Sequence, residues 1–216
     1  MSLITATEVL QYSPAEANFP KQEIERTIPV VEATFRRKCL GVDFYDWLIA
    51  NQVDYSDVAD FISDRCYNEN EEVKYNEQYW ISLADDNETI PSPTNQTWAK
   101  APKYANSCVQ AFWNNYLLPI LATTVYKDSI NTTTFRNGAA GLFTQESDSG
   151  NARGSNFKEI GQYKSSLVEQ INTMTANMIF YLKENVGETG CGLPSDALNA
   201  CSLCKQQGRR KFAFKH

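Results

Sequence analysis

The chain has 216 residues, of which 42% are hydrophobic and 21% charged, so the composition is that of one folded domain or two small ones. Its one histidine is the last residue, His216, which excludes most catalytic sites that use imidazole as a base, a nucleophile's partner or a metal ligand. These features favour a binding or structural role over catalysis.

The N-terminal segment gives no sign of export. Leu3 to Val9 has neither a cationic start nor a long apolar core, so it is not expected to be a secretory signal. The longest nearly apolar run, 116–122, is far shorter than the roughly 20 residues of a membrane helix. We therefore expect a soluble protein made in the cytoplasm, without membrane contact, whose six cysteines need not form disulfides.

Charge is unevenly distributed along the chain. Residues 205–216 carry five cations and no acid, whereas the other 204 residues carry 15 cations and 26 acids, a net of −11. An acidic body repels bare nucleic acid over most of its surface. The basic end is an exposed peptide that could dock on a partner.

Apolar residues at helical spacing predict a mainly α protein, a helical bundle with long kinked helices. The first predicted helix begins at Asn18–Pro20 and ends near Gly41. The later ones, in chain order, cover 44–52, 56–66, 71–83, about 102–125 and about 157–185. Interior prolines predict a kink or break at Pro29 and a second kink at Pro119. Residues 85–102 contain strong turn formers and are expected to be a loop.

The stretch 128–156, between the two long helices, has a different pattern. Ile130 to Phe135 is rich in β-forming residues, Arg136–Gly138 is typical of a turn, and Gly141 to Thr144 can form a returning strand. We expect a β-hairpin or extended arm inserted into the helical chain. It either covers its own bundle or adds a strand to a neighbouring subunit, and open strand edges favour the neighbour.

Two segments resemble the head-to-tail connector (adaptor, or ring) proteins of tailed bacteriophages. The segments are Leu3 to Val9 and Thr132 to Arg153, the latter followed by a long helix that ends in Phe180 to Asn185. The similarity is closest to the connectors of Bacteroides-infecting, crAss-like phages. It covers about the first dozen residues and 128–186, with two extra residues between the turn and Gly141.

The resemblance implies a structural virion protein at the head–tail junction. Such proteins form a homo-oligomeric ring of about twelve copies between the portal protein and the tail or ring proteins. The ring extends the channel for passing DNA, which it does not bind sequence-specifically. No catalytic residue and no cofactor are implied.

In this interpretation residues 1–186 are a single helical connector domain and 128–156 are its arm. The expected subunit-interface residues of the arm are Ile130, Phe135, Arg136, Asn137, Gly138, Gly141, Leu142 and Phe143. Residues 187–216 form a Cys-containing basic C-terminal tail. Its expected partner-docking residues are Arg209, Arg210, Lys211, Phe212 and Phe214, unless the tail is only a solvated terminus.

The C-terminal cysteines leave three chemical states open. Cys201 and Cys204 form a CxxC pair, which with Cys191 and His216 could hold zinc, although the second pair lacks a standard spacing. Reduced or redox-active thiols are favoured over zinc. A disulfide between Cys191 and one of the pair is the third state.

Carboxylates suggest a further alternative function. Asp54, Asp57, Asp60 and Asp64 recur at helical spacing. A lytic glycosidase would need paired carboxylates, but a solvated helix face explains these residues better. The other alternative is a small binding or regulatory module with a zinc- or redox-active Cys-rich basic C-terminus. The connector function is the main hypothesis.

Overall fold

The structure is a computed structural model that describes residues 2–16, 18–138, 141–144, 157–186, 191–194 and 197, with the backbone alone at 131–144 and 157. About 54% of the chain is helical, and a small three-stranded antiparallel sheet accompanies the helices. The predicted helical character is therefore correct. Outside the arm, however, the chain forms a mixed α/β structure and not a plainly all-helical bundle.

The helical part contains six α-helices and two π-helical turns within the described residues. They are α1 (Ala6–Tyr12), α2 (Lys21–Thr34) continued by the π-helical turn Phe35–Cys39, α3 (Val42–Ala50), α4 (Ser107–Phe112) continued by the π-helical turn Trp113–Leu117, α5 (Leu118–Thr134) and α6 (Phe157–Asn185). The helix α6 begins and ends where its apolar pattern predicts.

The helix α5 is the centre of the core. Leu118, Ile120, Leu121, Ala122 and Val125 are each 0–1% exposed, so several sides of the helix are covered. It packs against α1, α2 and α6. A helix that is apolar over so much of its circumference is stable only when neighbours surround it, which explains why the other helices gather around α5.

The two interior prolines behave differently. The helix α2 is not split at Pro29, and its irregular turn begins only at Phe35. Before Pro119, by contrast, the backbone opens into the π-helical turn, where Leu118 N donates to Trp113 O. Because proline has no N–H to donate, an irregular turn just before it is the expected adjustment.

Residues 54–102 form a compact β-unit, inserted between α3 and α4. It contains β1 (Glu72–Tyr75), β2 (Gln78–Ser82) and β3 (Trp98–Lys100), paired antiparallel in the order β1-β2-β3. Tyr67, Val73, Trp80 and Trp98 make a separate small core, with Phe61 and Tyr75 packed against it. The predicted helices 56–66 and 71–83 are therefore wrong.

The turn between β1 and β2 explains the second error. Asn76 and Glu77 both have positive φ, 51° and 62°, which closes a two-residue hairpin that no helix can accommodate. After the turn, burial alternates along β2, with Gln78, Trp80 and Ser82 inside. This period of two is a strand pattern. The next helix also begins later than predicted, at Ser107 behind the Asn106 cap and not at Pro102.

We predict that Asn76→Val lowers the free energy of unfolding by about 1–2 kcal/mol, because a β-branched residue resists positive φ. Chemical denaturation measures the change. Asn76→Gly is the matched control and should leave stability within about 0.5 kcal/mol of the wild type, since glycine adopts this φ freely. Equal losses in both variants would contradict the proposed turn.

Candidate interaction site

The predicted arm is present as a hairpin. It consists of β4 (Phe135–Gly138) and β5 (Gly141–Thr144), a two-stranded antiparallel sheet separate from the β-unit. The helix α5 extends to Thr134, so the first strand starts at Phe135 and not at Ile130. Ile130 was predicted as an arm residue, but it lies in α5, is 9% exposed and belongs to the main core.

The register of the hairpin corrects the predicted turn. Gly138 pairs with Gly141, Asn137 with Leu142, Arg136 with Phe143 and Phe135 with Thr144. Arg136, Asn137 and Gly138 therefore belong to strand β4 and not to the turn. The helix α5 continues through the β-branched residues of 131–134, so the first strand starts later than predicted. The rest of the arm, 139–140 and 145–156, lies outside the described residues.

The hairpin has few neighbours in the described part of the chain. Its strands contact each other and the end of α5, and no other element of the described chain packs extensively on them. A two-stranded sheet has two edges, each with backbone N–H and C=O groups that lack a strand partner. An isolated hairpin of this size is marginal in water, so a further partner would stabilise it.

The N-terminal segment is held by a buried carboxylate that sequence analysis missed. Glu32, 8% exposed, accepts hydrogen bonds from Leu3 N at 2.7 Å and Ile4 N at 3.1 Å. It also accepts from Ser2 Oγ at 2.6 Å and from Tyr45 OH at 3.1 Å. One side chain thereby fixes the start of the chain to both α2 and α3. Burial, assisted by the Glu32 charge, raises the pKa of Tyr45.

A second buried acid lies close to the same segment. Glu8 is 6% exposed and forms a capping box with Thr5, the one part of this network that the Thr-x-x-Glu spacing could have revealed. Its carboxylate lies 3.5 Å from Lys100 Nζ and 3.5 Å from Lys103 Nζ. Lys103 Nζ also donates to the Leu3 carbonyl and lies 4.4 Å from the centre of the Trp113 ring.

Burial lowers the pKa of Lys103, and the neighbouring Glu8 charge opposes that shift. The ammonium group is held by Glu8, a carbonyl and an aromatic face, which together replace much of its hydration. These charges hold the N-terminal segment in place. The carboxylates of Glu8 and Glu32 are already engaged by lysines and by hydrogen-bond donors, so the arrangement favours a structural role over acid–base chemistry.

A cavity of about 240 Å³ opens between this network and the β-unit. Tyr55 and Tyr79 line it and stack at 4.6 Å between ring centres, and Tyr55 OH donates to Pro102 O at 2.8 Å. The Gln52 side chain also lines it, with its Nε2 buried. The cavity offers hydrogen-bonding groups, but its lysines are already paired with Glu8.

The state of Cys191 differs from each of the three predicted states, while Cys201 and Cys204 lie outside the described residues. Cys108, at the start of α4, forms a disulfide with Cys191, with a Cα–Cα distance of 5.0 Å. The favoured reduced state and the pairing of Cys191 with Cys201 or Cys204 are therefore wrong for Cys191. The segment after α6 returns to the core, since Cys191, Leu193 and Ala197 are all buried there.

The return is tight at Gly192. This glycine has φ 73°, and a Cβ atom there would lie 2.7 Å from the Asn106 amide nitrogen. The cap of α4 and the segment after α6 therefore touch directly. The disulfide and this close approach together hold Cys191 and Gly192 in place, ahead of the basic residues 205–216.

The proposed zinc set is not assembled in the described chain. Cys191 is engaged in the disulfide, while Cys201, Cys204 and His216 lie outside the described residues. Among the residues that the structure describes, no group of three or more His, Cys, Asp or Glu side chains could hold a metal ion. The tail residues Arg209, Arg210, Lys211, Phe212 and Phe214 also lie outside the description.

The acidic residues that suggested a glycosidase lie outside the helices. Asp54, Asp57, Asp60 and Asp64 are exposed, and the helix that would have aligned them is not formed. A catalytic acid of this kind lies in an apolar pocket, whereas these four side chains face solvent. Within the described residues, no helix combines the length and apolarity that crossing a bilayer requires.

Comparison with known proteins yields no relative. No protein-family model, no curated protein and no solved structure matches the chain.

We predict that Glu32→Ala lowers the free energy of unfolding by about 3–5 kcal/mol, because two buried backbone N–H groups and Tyr45 lose their acceptor. Urea denaturation followed by tryptophan fluorescence measures the loss. Glu25→Ala, an exposed site on the same helix, should change it by less than about 0.5 kcal/mol. Similar small losses in both variants would show that the carboxylate does not fix the N-terminal segment.

We also predict that the double variant Cys108→Ser, Cys191→Ser is less stable than the oxidised wild type by about 2–5 kcal/mol. The bond closes a loop of 83 residues in sequence separation, and long loops gain most from a crosslink. Thermal unfolding with and without a reductant measures the difference. Cys66→Ser, at an exposed free cysteine, is the control and should have no such effect.

Proposed function

We propose that this protein is a structural virion subunit, a head-to-tail connector of a tailed bacteriophage similar to those of crAss-like phages. Copies of the chain assemble as a ring between the portal protein and the tail or ring proteins. The ring extends the channel through which DNA passes. The subunit has no catalytic activity of its own.

The observation that carries the proposal is the hairpin of β4 and β5. It emerges from the end of α5, the most buried helix, and contacts little of its own subunit. A rigid helix that ends in a hairpin with open edges is suited to pairing with a neighbouring copy. A protein that used the hairpin only as a flap would be expected to pack it against its own helices.

The arrangement of α5 supports the same proposal in mechanical terms. Movement of the hairpin would be transmitted to a helix enclosed by α1, α2 and α6, and the Cys108–Cys191 bond ties α4 to the segment after α6. A subunit contact made through the hairpin would therefore be supported by the whole helical core.

Charge supports the proposal of a DNA channel. The chain carries a net charge of −6, and its acidic side chains are largely exposed. DNA has one negative charge for about every 1.7 Å of its axis, so an acidic wall repels it and lets it slide. A protein that had to bind the duplex tightly would instead present clustered lysine and arginine.

We predict that deletion of 136–142 leaves the helix content nearly unchanged and abolishes ring formation. The hairpin contributes little to the core, since its described contacts are with itself and the end of α5. Circular dichroism measures the helix content, and sedimentation velocity with negative-stain microscopy measures the assembly. A variant that carries a Gly/Ser segment of equal length in place of 136–142 separates loss of the strands from a change in chain length.

Two outcomes would contradict the proposal. If the deletion unfolds the chain, the hairpin belongs to the core and is not an assembly arm. If both variants form rings as the wild type does, the hairpin does not mediate subunit contact.

A further inference from the structure

An apolar groove lies between α1 and the β-unit. Its volume is about 520 Å³, within the range of about 300–1,000 Å³ that is usual for ligand sites. Two of its lining residues are joined by a hydrogen bond of 3.0 Å from Gln78 Nε2 to Gln11 Oε1. Its apolar walls are formed by Leu10, Tyr75, Trp80, Ile90, Pro91 and Pro93.

The groove is partly open to solvent. Ile90 is 57% exposed, although it is a large aliphatic side chain. Pro93 beside it is also exposed, whereas Trp80 at the base is 3% exposed. An exposed aliphatic and a proline above a buried indole form an apolar slot that water covers poorly, which is typical of a docking site for apolar side chains.

The β-unit, which supplies one side of the groove, is strongly acidic in sequence. Residues 54–88 contain eleven carboxylates and two cations, Arg65 and Lys74, a net of −9 in a chain whose total is −6. Ten of the eleven acids are exposed, and in the described chain ion pairs are made by Glu71 with Arg65 and by Glu77 with Lys21. A ligand for this groove should therefore combine apolar side chains with several positive charges.

The tail of the same chain has that chemistry. Residues 205–216 contain five cations and no acid, and Phe212 and Phe214 stand at i and i+2. In an extended peptide this spacing places both rings on one side. From Ala197, which is buried in the core, the 15 residues to Phe212 can span up to about 50 Å, enough to reach a neighbouring subunit.

We propose that the groove binds Phe212 and Phe214 of the tail of a second copy of this chain, with the tail cations facing the acidic β-unit. This inference rests on the proposed ring. The donor and the acceptor are different surfaces, so the contact is heterologous, and repeated heterologous contacts close into a ring when the rotation permits. The two apolar rings order the peptide, and the opposite charges select and orient it.

The test is photo-crosslinking in the full-length chain with Phe214→p-benzoylphenylalanine. An isotopically labelled and an unlabelled preparation are mixed under assembly conditions, irradiated and digested, and the crosslinked peptides are identified by mass spectrometry. We expect crosslinks between copies, seen as mixed-isotope pairs, to residues 7–11, 75–80 or 90–93. Crosslinks only within one copy, crosslinks to other parts of the chain, or none at all would each overturn the proposal.

Two matched substitutions test the groove itself. Ile90→Asp and Leu83→Asp add the same charge at exposed aliphatic residues of the β-unit, but only Ile90 lines the groove. The crosslink yield should fall at least about tenfold with Ile90→Asp, because burying a carboxylate against the rings is unfavourable, and should change less than about twofold with Leu83→Asp. Equal effects would overturn the assignment.

Microscopy of the same samples keeps this test separate from the connector proposal. Rings without the expected crosslink overturn the groove assignment and leave the connector proposal standing. Mixed-isotope crosslinks to the groove in a sample that forms no closed ring support the tail contact and count against the ring.

Discussion

The buried Glu32 carboxylate is the interaction on which the rest of the helical core depends. It gathers the N–H groups of Leu3 and Ile4 and the hydroxyl of Tyr45, so that the start of the chain, α2 and α3 meet at one point. Ordering the chain ends costs conformational entropy, which an exposed contact could not offset. Because the N-terminal segment is fixed in this way, α1 can lie against α5, and Glu8 can face Lys100 and Lys103.

The long helices were predictable from the sequence because their burial follows a period of 3.6. In α6 the predicted inward residues Leu167, Met178 and Leu182 are buried, although Val168 is 42% exposed. Glu32 also left a signal: it lies four residues after Ile28 on the apolar face of α2, where an unpaired acid would be costly. Which groups it binds depends on contacts some 30 residues away in sequence.

The β-unit was not predictable in the same way. Residues 71–83 contain apolar residues that fit both a helix and a strand, and the positive φ of Asn76 and Glu77 decides for the hairpin. For the candidate site, the change from helical spacing to β-forming residues near the end of α5 was enough to predict an arm there. The turn of the arm was predicted at 136–138, which lies in strand β4. The groove lies between α1 and the β-unit, elements far apart in sequence, so no local pattern could reveal it.

The disulfide has a topological consequence for the arm. The bond from Cys108 to Cys191 encloses α4, α5, the hairpin and α6 in one covalent loop. A protease that cuts the hairpin would open this loop without releasing a fragment, and the nick would be visible only after reduction. A chain cut in the hairpin would therefore keep both pieces of its core covalently joined.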